Sequence, residues 1–178
     1  MHKTTLQIAH TAELNDTARG AIRALLWSVF DDMTEDDYQH GLGGTHALVW
    51  DGAQLIGHAS LVMRRLLHGG RALRTGYVEC VGVRRDRQRQ GIGAALMTPL
   101  EDMIRSGYEL GALGTTDEGM PFYAARGWQL WRGELQALTP TGIVATPDER
   151  GAVLVLPTDM PLDLDESLTV DWRDGDVW

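Results

Sequence analysis

RRDRQRQGIGAALM, residues 84–97, sets four arginines and one aspartate ahead of two glycines and an apolar helical run. The flanks read as a strand over Val78–Val83 and a helix from about Gly91 to Ser106, with the glycines at the junction. A helix start offers unpaired backbone N–H groups and a partial positive charge. Glycine lets a phosphate approach those groups and permits left-handed backbone angles. The arginines add attraction for anions. The stretch is therefore expected to hold a di- or polyphosphate. It is not a Walker loop, which needs GxxxxGK[ST], because there is no lysine here. It is not a dinucleotide fingerprint, because Gly91-Ile92-Gly93-Ala94-Ala95-Leu96 lacks the third glycine. On these residues alone, a plain tight turn before a solvated helix stays open.

Working outward, Thr4–His10 alternates as a first strand. Asn15 or Asp16 can cap a helix to about Phe30, with Ile22, Leu25, Leu26 and Val29 on one face. Thr34 and Asp37 have the spacing of a capping box, for a short helix that GLGG (Gly41–Gly44) breaks near His40. Two strands flank Asp51-Gly52, a hairpin signal. A second turn at His68–Gly70 leads to RALRTGYVECVGV. After the long helix, YELGALGT is a strand and Gly119 to Arg126 a short helix ended by Gly127. WQLWRGELQAL, GAVLVLP and ESLTVDW read as strands. An antiparallel meander followed by a βαβ unit predicts an α/β (α+β) fold, with a mixed central sheet and helices on both faces. A chain of 178 residues fits a single domain, 1–178.

The net charge is −9, with fifteen arginines and one lysine. Acids gather in DDMTEDD (31–37) and in the tail from Asp159 to Trp178. Such clusters are either solvated faces or a field for a polycation. They disfavour nucleic acid, whose phosphates they repel. One cysteine, Cys80, excludes a disulfide framework and a Cys-based zinc site. The histidines show no metal-ligand spacing, so no metal is expected. No leader-like or membrane-spanning run appears, and a soluble cytoplasmic protein is the default.

Gln88-Arg89-Gln90-Gly91-Ile92-Gly93 resembles the [Q/R]xxGx[G/A] motif of the GCN5-related N-acetyltransferase (GNAT) superfamily. HGLGGTHA (40–47), GYVECVGV (76–83), the PTGIVATPDERGAV loop and DWRDGDVW (171–178) narrow the likeness to the aminoglycoside 2'-N-acetyltransferases, over nearly the whole chain. The resemblance implies the GNAT fold and acetyl-CoA as cosubstrate. It implies direct transfer of acetyl to the 2'-amino group of a cationic antibiotic, and so resistance. The partners would be coenzyme A and the aminoglycoside, with no nucleic acid and no membrane; it leaves room for a homodimer. The alternatives are a GNAT enzyme for another amine (an amino sugar such as kasugamycin, a polyamine or a protein N-terminus) and a non-enzymatic coenzyme-sensing module.

Glu79 is the candidate base, since a carboxylate inside an apolar strand must be paired, hydrated or functional. Pairing with Arg74 or Arg71 is the structural alternative. Alternation would put Tyr77, Glu79, Val81 and Val83 on one face, with Cys80 facing away into the core. The resemblance implies that Glu79 draws the substrate proton, directly or through water. Tyr123 is either packed beside Phe122 or, as the resemblance implies, the acid next to the coenzyme sulfur. The coenzyme set carried over is Val81, Gly82, Val83, Gln88, Arg89, Gln90, Gly91, Ile92 and Gly93, with a backbone N–H near Val81 facing the oxyanion. The substrate set is Asp32, Asp37, Glu79, Cys80, Gly114, Glu149, Asp176 and Trp178 with its carboxylate. Glu149 stands where an aspartate is expected. Gly114 replaces a serine, for which Thr115 or Thr116 could substitute.

Overall fold

A computed structural model describes residues 4–178. The strands are β1 (Thr4–His10), β2 (Thr45–Asp51), β3 (Gln54–His68), β4 (Arg71–Val83), β5 (Leu110–Gly114), β6 (Gln129–Leu130), β7 (Leu135–Thr139), β8 (Gly142–Ala145), β9 (Val153–Pro157) and β10 (Leu168–Asp171). The helices are α1 (Asp16–Val29), α2 (Glu35–His40), α3 (Ile92–Gly107) and α4 (Met120–Ala124). The chain packs into two compact units, one from the residues up to Val62 together with Val78–Met103, the other from Met63–Tyr77 together with Ile104–Trp178. Strands β3 and β4 each run through both.

In the first unit β1 pairs antiparallel with β2, and β2 with the start of β3. Val49 lies opposite Gly57 and Leu48 opposite His58, so the two pairs point to opposite faces. A Cβ on Gly57 would lie 2.6 Å from Ile92, which places α3 on the Val49 face. Leu48 packs in a core with Ile22, Leu25 and Leu26 of α1, so α1 covers the other face. Helices on both faces were expected from the element order. The buried positions on α1, at i, i+3 and i+4, form the apolar stripe read from the sequence. Asn15 caps α1 through the Ala18 N–H, and Thr34 and Asp37 form the reciprocal capping box of α2.

In the second unit β5 runs parallel to β4 and antiparallel to β9, and β6 pairs with β9. Strand β10 is antiparallel to β3 and parallel to β7, which carries β8 at its edge. The sheet is mixed, as expected. WQLWRGELQAL is not one strand, however. It breaks between Leu130 and Leu135, where Gly133 presses on another backbone segment; a Cβ there would lie 1.8 Å from the Glu166 carbonyl. Strand β8 was not foreseen. Its four residues are all exposed, so they carry no alternation to read.

Alternation also fails in β4. Gly76, Tyr77 and Val78 are buried in succession, then Glu79, Cys80 and Val81 are all half-buried. At Cys80 the backbone leaves the extended region, at φ +52° in the left-handed region. The left-handed residue interrupts the extended run as a bulge does, and the Cys80 side chain still packs against the α1 core, as expected.

Candidate active site

The glycine turn follows β4 through a single turn of tight helix at Arg85–Arg87. Arg89 (φ +60°) and Gly91 (φ +81°) both adopt left-handed backbone. The first helical bond of α3 runs from the Ala95 N–H to the Gly91 carbonyl, 3.0 Å. The N–H groups of Ile92, Gly93 and Ala94 therefore precede the helical ladder and are available to an anion. Gln88–Gly91 are exposed, and nothing lies within 4 Å of a Cβ built on Gly91, so the approach is open. These features fit a pyrophosphate.

The arginines do not all serve that purpose. Arg84 forms a two-pronged pair with Asp86 (2.5 and 2.8 Å), Arg85 pairs with Asp31 (2.7 Å) and Arg87 pairs with Asp51. Arg89 alone of the four forms no ion pair among the described residues. It is the cation left beside the turn. Gln88 folds back so that its amide donates to the Val83 carbonyl at 3.3 Å, and the Gln90 amide donates to the Asp86 carbonyl at the same distance. Gly82 is buried against Leu26, Val29 and Phe30 of α1, while Val81 and Val83 are half-buried.

Around the bulge, Glu79 and Cys80 gather three anchors. The Ser60 hydroxyl donates to the Glu79 carbonyl (3.3 Å), the His58 ring holds the Cys80 carbonyl (2.8 Å), and the Cys80 thiol donates to the Asp37 carbonyl (3.3 Å). The structural partners considered for Glu79 have other bonds: Arg71 donates to Glu109 (2.9 Å), and Arg74 Nε to the Gly107 carbonyl (2.8 Å). The GLGG segment, which ends α2 at Gly41 as expected, also packs its backbone on this region. A Cβ on Gly41 would lie 3.0 Å from Ser60 Oγ and 3.1 Å from Cys80 Sγ, and one on Gly44 would lie 2.0 Å from the Leu61 carbonyl. Asp37 is thus brought next to Cys80, although its Oδ2 accepts from the backbone and hydroxyl of Thr34. Asp32 is exposed and is not drawn into this cluster.

In the second unit the tail folds back, with Trp178 buried. Arg64, 5 % exposed, donates to Asp171 Oδ1 (2.7 Å), the Asp171 carbonyl (2.8 Å) and the Val177 carbonyl (2.8 Å). Its guanidinium lies 4.8 Å from the centre of the Tyr77 ring, and that of Arg173 at 5.5 Å. Arg173 also donates to the Asp176 carbonyl (2.7 Å) and to the main-chain oxygen of Trp178 (2.9 Å). Trp178 is buried; its N–H donates to Asp176 Oδ1 (3.1 Å) and its indole to Thr146 Oγ1 (2.8 Å). Thr146 opens the short helical turn that carries Glu149. Burial, and after it the nearby Asp176 and Asp148 carboxylates, push the Glu149 pKa above the ordinary glutamate value. Gly114 is exposed and lies beside the Trp178 backbone and the Tyr77 hydroxyl, each 3.9 Å from a Cβ built there. Tyr123 is buried in α4, edge-on to Phe122 (5.0 Å) and Trp128 (6.0 Å). Its packing beside Phe122 is therefore real, whatever else the phenol does. No group of three or more His, Cys, Asp or Glu side chains among the described residues is arranged to hold a metal ion. No described helix is long and apolar enough to cross a membrane.

The sequence profile of the acetyltransferase (GNAT) family matches residues 10–128. The chain belongs to the GNAT acetyltransferase family. That span takes in the glycine turn, the bulge and Tyr123. An aminoglycoside 2'-N-acetyltransferase of Mycolicibacterium fortuitum is 41% identical over 179 residues, covering 98% of this chain and 92% of the relative. The likeness read from the motifs is thereby borne out. Among solved structures, a GNAT family N-acetyltransferase of Escherichia coli in complex with CoA is similar at a TM-score of 0.64 and 16% identity, over 96% of this chain and 91% of that one. The ribosomal-protein-S18-alanine N-acetyltransferase of Escherichia coli matches at 0.61 and 17% identity, over 88% and 96%. At that distance these structures establish the GNAT fold.

Proposed function

We propose that this GNAT enzyme transfers the acetyl group of acetyl-CoA directly to the 2'-amino group of an aminoglycoside, and that its activity in the cytoplasm confers resistance. One observation carries the reading beyond the family. The acidic tail is ordered by Arg64, Arg173 and Thr146, so that Asp176 lies near Glu149, whose pKa is raised first by burial and then by the Asp176 carboxylate. Like charges held together raise one another's energy, and a polycation relieves that repulsion. Identity of 41% to the aminoglycoside enzyme supports the same substrate class.

The residues take the following roles. The N–H groups at the start of α3 bind the pyrophosphate, with Arg89 adding charge. The bound acetyl-CoA supplies an activated thioester. Val81 and Val83 offer backbone groups to the pantetheine arm, and a backbone N–H near Val81 faces the oxyanion. Gly82 has no side chain to separate α1 from the strand. Glu79 accepts the proton from the substrate amine, and Tyr123 returns one to the leaving sulfur. Asp32, Asp37, Glu149, Asp176 and Trp178 hold the cationic sugar, with Cys80 and Gly114 lining its place. We treat residues 1–178 as one acetyltransferase domain, since β3 and β4 thread both compact units.

The test is to incubate the protein with acetyl-CoA and tobramycin, weigh the product by mass spectrometry and locate the acetylated nitrogen by NMR. A single acetyl on the 2' nitrogen is expected. Acetylation of another position, or turnover only with a polyamine or a protein N-terminus, refutes the reading.

A further inference from the structure

His46 and His58 are each about 1 % exposed, and the reaction as proposed uses neither. Both project from the α1 face of the first unit, since His58 lies opposite Leu48, and His46 lies two residues before Leu48 on the same strand. His46 Nδ1 lies 2.9 Å from His58 Nε2, and His58 Nδ1 lies 2.8 Å from the Cys80 carbonyl. At the other end, His46 Nε2 lies 2.7 Å from Thr11 Oγ1, which in turn is 2.9 Å from the Gly43 N–H.

The chemistry of the ends fixes every proton in this chain. A carbonyl only accepts, so His58 carries its hydrogen on Nδ1 and its Nε2 is an acceptor. His46 must then carry its hydrogen on Nδ1 to donate to His58, which leaves its own Nε2 as an acceptor. The Thr11 hydroxyl also lies 3.2 Å from the Gly44 carbonyl, but that carbonyl already accepts the Thr11 N–H at 2.9 Å, so the hydroxyl turns its one hydrogen to the His46 nitrogen and accepts from the Gly43 N–H. All donors point one way, from the GLGG segment to the bulge, and every group is satisfied with both rings neutral. Consistent with that, burial lowers the pKa of His46 to about 4 and of His58 to about 3.

What stands at the receiving end gives the chain its meaning. Cys80 is a non-glycine residue at φ +52°, a conformation that costs free energy and persists only when its surroundings hold it. A bulge also removes backbone groups from the strand ladder, and buried carbonyls need other donors. Two neighbouring carbonyls, of Glu79 and Cys80, are met instead by side chains of β3, Ser60 and His58. The residue before the bulge is the proposed base, and the residue after it carries the backbone assigned to the thioester.

We infer that His58, supported by His46 and Thr11, is a positioning residue: it locks the left-handed turn at Cys80 and thereby sets the backbone of Glu79 and Val81 for acetyl transfer. The inference rests on the roles proposed above for those two residues. Misplacing reacting groups by about 1 Å can cost on the order of a hundredfold in rate.

The experiment uses the full chain and two variants. His58→Leu removes the donor, whereas His58→Asn places an amide N–H near the position of Nδ1. In His58→Leu, kcat with tobramycin falls at least about tenfold while KM and coenzyme A affinity stay within about twofold. Hydrogen exchange of the peptide containing Val81 and Gly82, read by mass spectrometry without any substrate, becomes at least about tenfold faster. His58→Asn recovers most of both. An unchanged kcat or unchanged exchange in folded His58→Leu overturns the inference, as does a His58→Asn protein no better than the leucine form. Should the leucine variant fail to fold, ¹⁵N NMR of labelled histidine in the unaltered protein decides. Both rings must be Nδ1–H tautomers, and a hydrogen on Nε2 of His58 overturns the inference. If the unaltered protein acetylates no aminoglycoside, the functional reading fails by itself, and exchange and tautomer still decide the role of His58 in holding the bulge.

Discussion

Replacing Arg64 by methionine removes the charge that holds the tail and keeps most of the apolar stem. Three hydrogen bonds disappear: one to the Asp171 carboxylate and two to the carbonyls of Asp171 and Val177. Breaking a buried ion pair typically costs about 3–5 kcal/mol. Here Arg64 is 5 % exposed but Asp171 is 38 % exposed, so water can resolvate the carboxylate left behind. Asp171 also keeps the Arg65 N–H at 3.2 Å. The lower end, about 3 kcal/mol, is therefore expected. For a chain of this size that lowers Tm by roughly 6–12 °C, at about 2–4 °C per kcal/mol. The folded variant should then lose the ordered placement of Asp176 against Glu149. One charged hydrogen bond to the antibiotic contributes about 1.5–3 kcal/mol, so KM for tobramycin should rise by roughly 10–150-fold. Coenzyme A affinity, which depends on the turn after β4, should not change. Thermal melts, steady-state kinetics and calorimetry with coenzyme A read the three quantities. A large drop in Tm with an unchanged KM would show that the tail stabilises the fold but does not hold the substrate. An unchanged Tm would show that the Arg64 pair contributes nothing.

Tyr123→Phe keeps the edge-on contacts with Phe122 and Trp128, so it should lower kcat about 10²-fold or more with KM and Tm nearly constant; a fall in affinity alone would make the phenol a binding group. Gly91→Val has space for its side chain but not the backbone angle, and it should weaken coenzyme A binding at least about tenfold by calorimetry while the protein stays folded. Undiminished affinity would remove the phosphate-cradle role. Antibiotic binding should draw the raised Glu149 pKa back down and release protons just above the ordinary glutamate range, seen as heats that depend on buffer; Glu149→Gln should abolish that release. Acid stability should follow the two buried histidines. Their folded pKa values, about 4 and about 3, lie below the ordinary 6.5, so the unfolded chain binds more protons between those limits. Stability then falls as pH drops through 6.5 and on toward 4, by at most about 2.7 kcal/mol per pH unit for two protons. Urea titrations from pH 7 to 4 that gave a flat profile would contradict neutral buried rings.

Local features were legible in the sequence. Asn15 and the Thr34–Asp37 box cap their helices within three residues, and the turn at Gly91 combines a glycine with the helix start beside it. The elements carrying Glu79 and Tyr123 were located correctly, because motif order survives without distances. What escaped depends on partners far apart in the chain. Arg85 and Arg87 are neutralised by Asp31 and Asp51, 54 and 36 residues away, so four arginines within six residues overstated the field at the turn. GLGG does stop α2, but nothing in it announces the backbone of β3 lying against Gly44. Cys80 misled most. A cysteine gives no hint of a left-handed angle, and the side chains that hold it, His58 and Ser60, lie about twenty residues earlier on another strand. Their alternation reads as ordinary core.

The two compact units are interleaved in the sequence, and that shapes how the chain can acquire its structure during synthesis. The first unit needs Val78–Met103, so it cannot be completed until about residue 103 has left the ribosome. By then Met63–Tyr77 is already exposed, although its own partners, β5, β10 and their neighbours, have not been made. At roughly 5–20 residues per second the remaining 75 residues take several seconds. Throughout that interval the turn-side halves of β3 and β4 pair with each other but lack β10 and β5 at their outer edges. Helix α3 straddles the boundary, with Met103 in one unit and Ile104 in the other, so its last turn can meet Arg74 early but lacks the β5 and β9 side of its packing until those strands arrive. Strong apolar periodicity and a long uninterrupted helix are what can protect such a nascent segment, and a ribosome-stalled chain ending shortly after α3 should recruit chaperones more readily than one ending after β10.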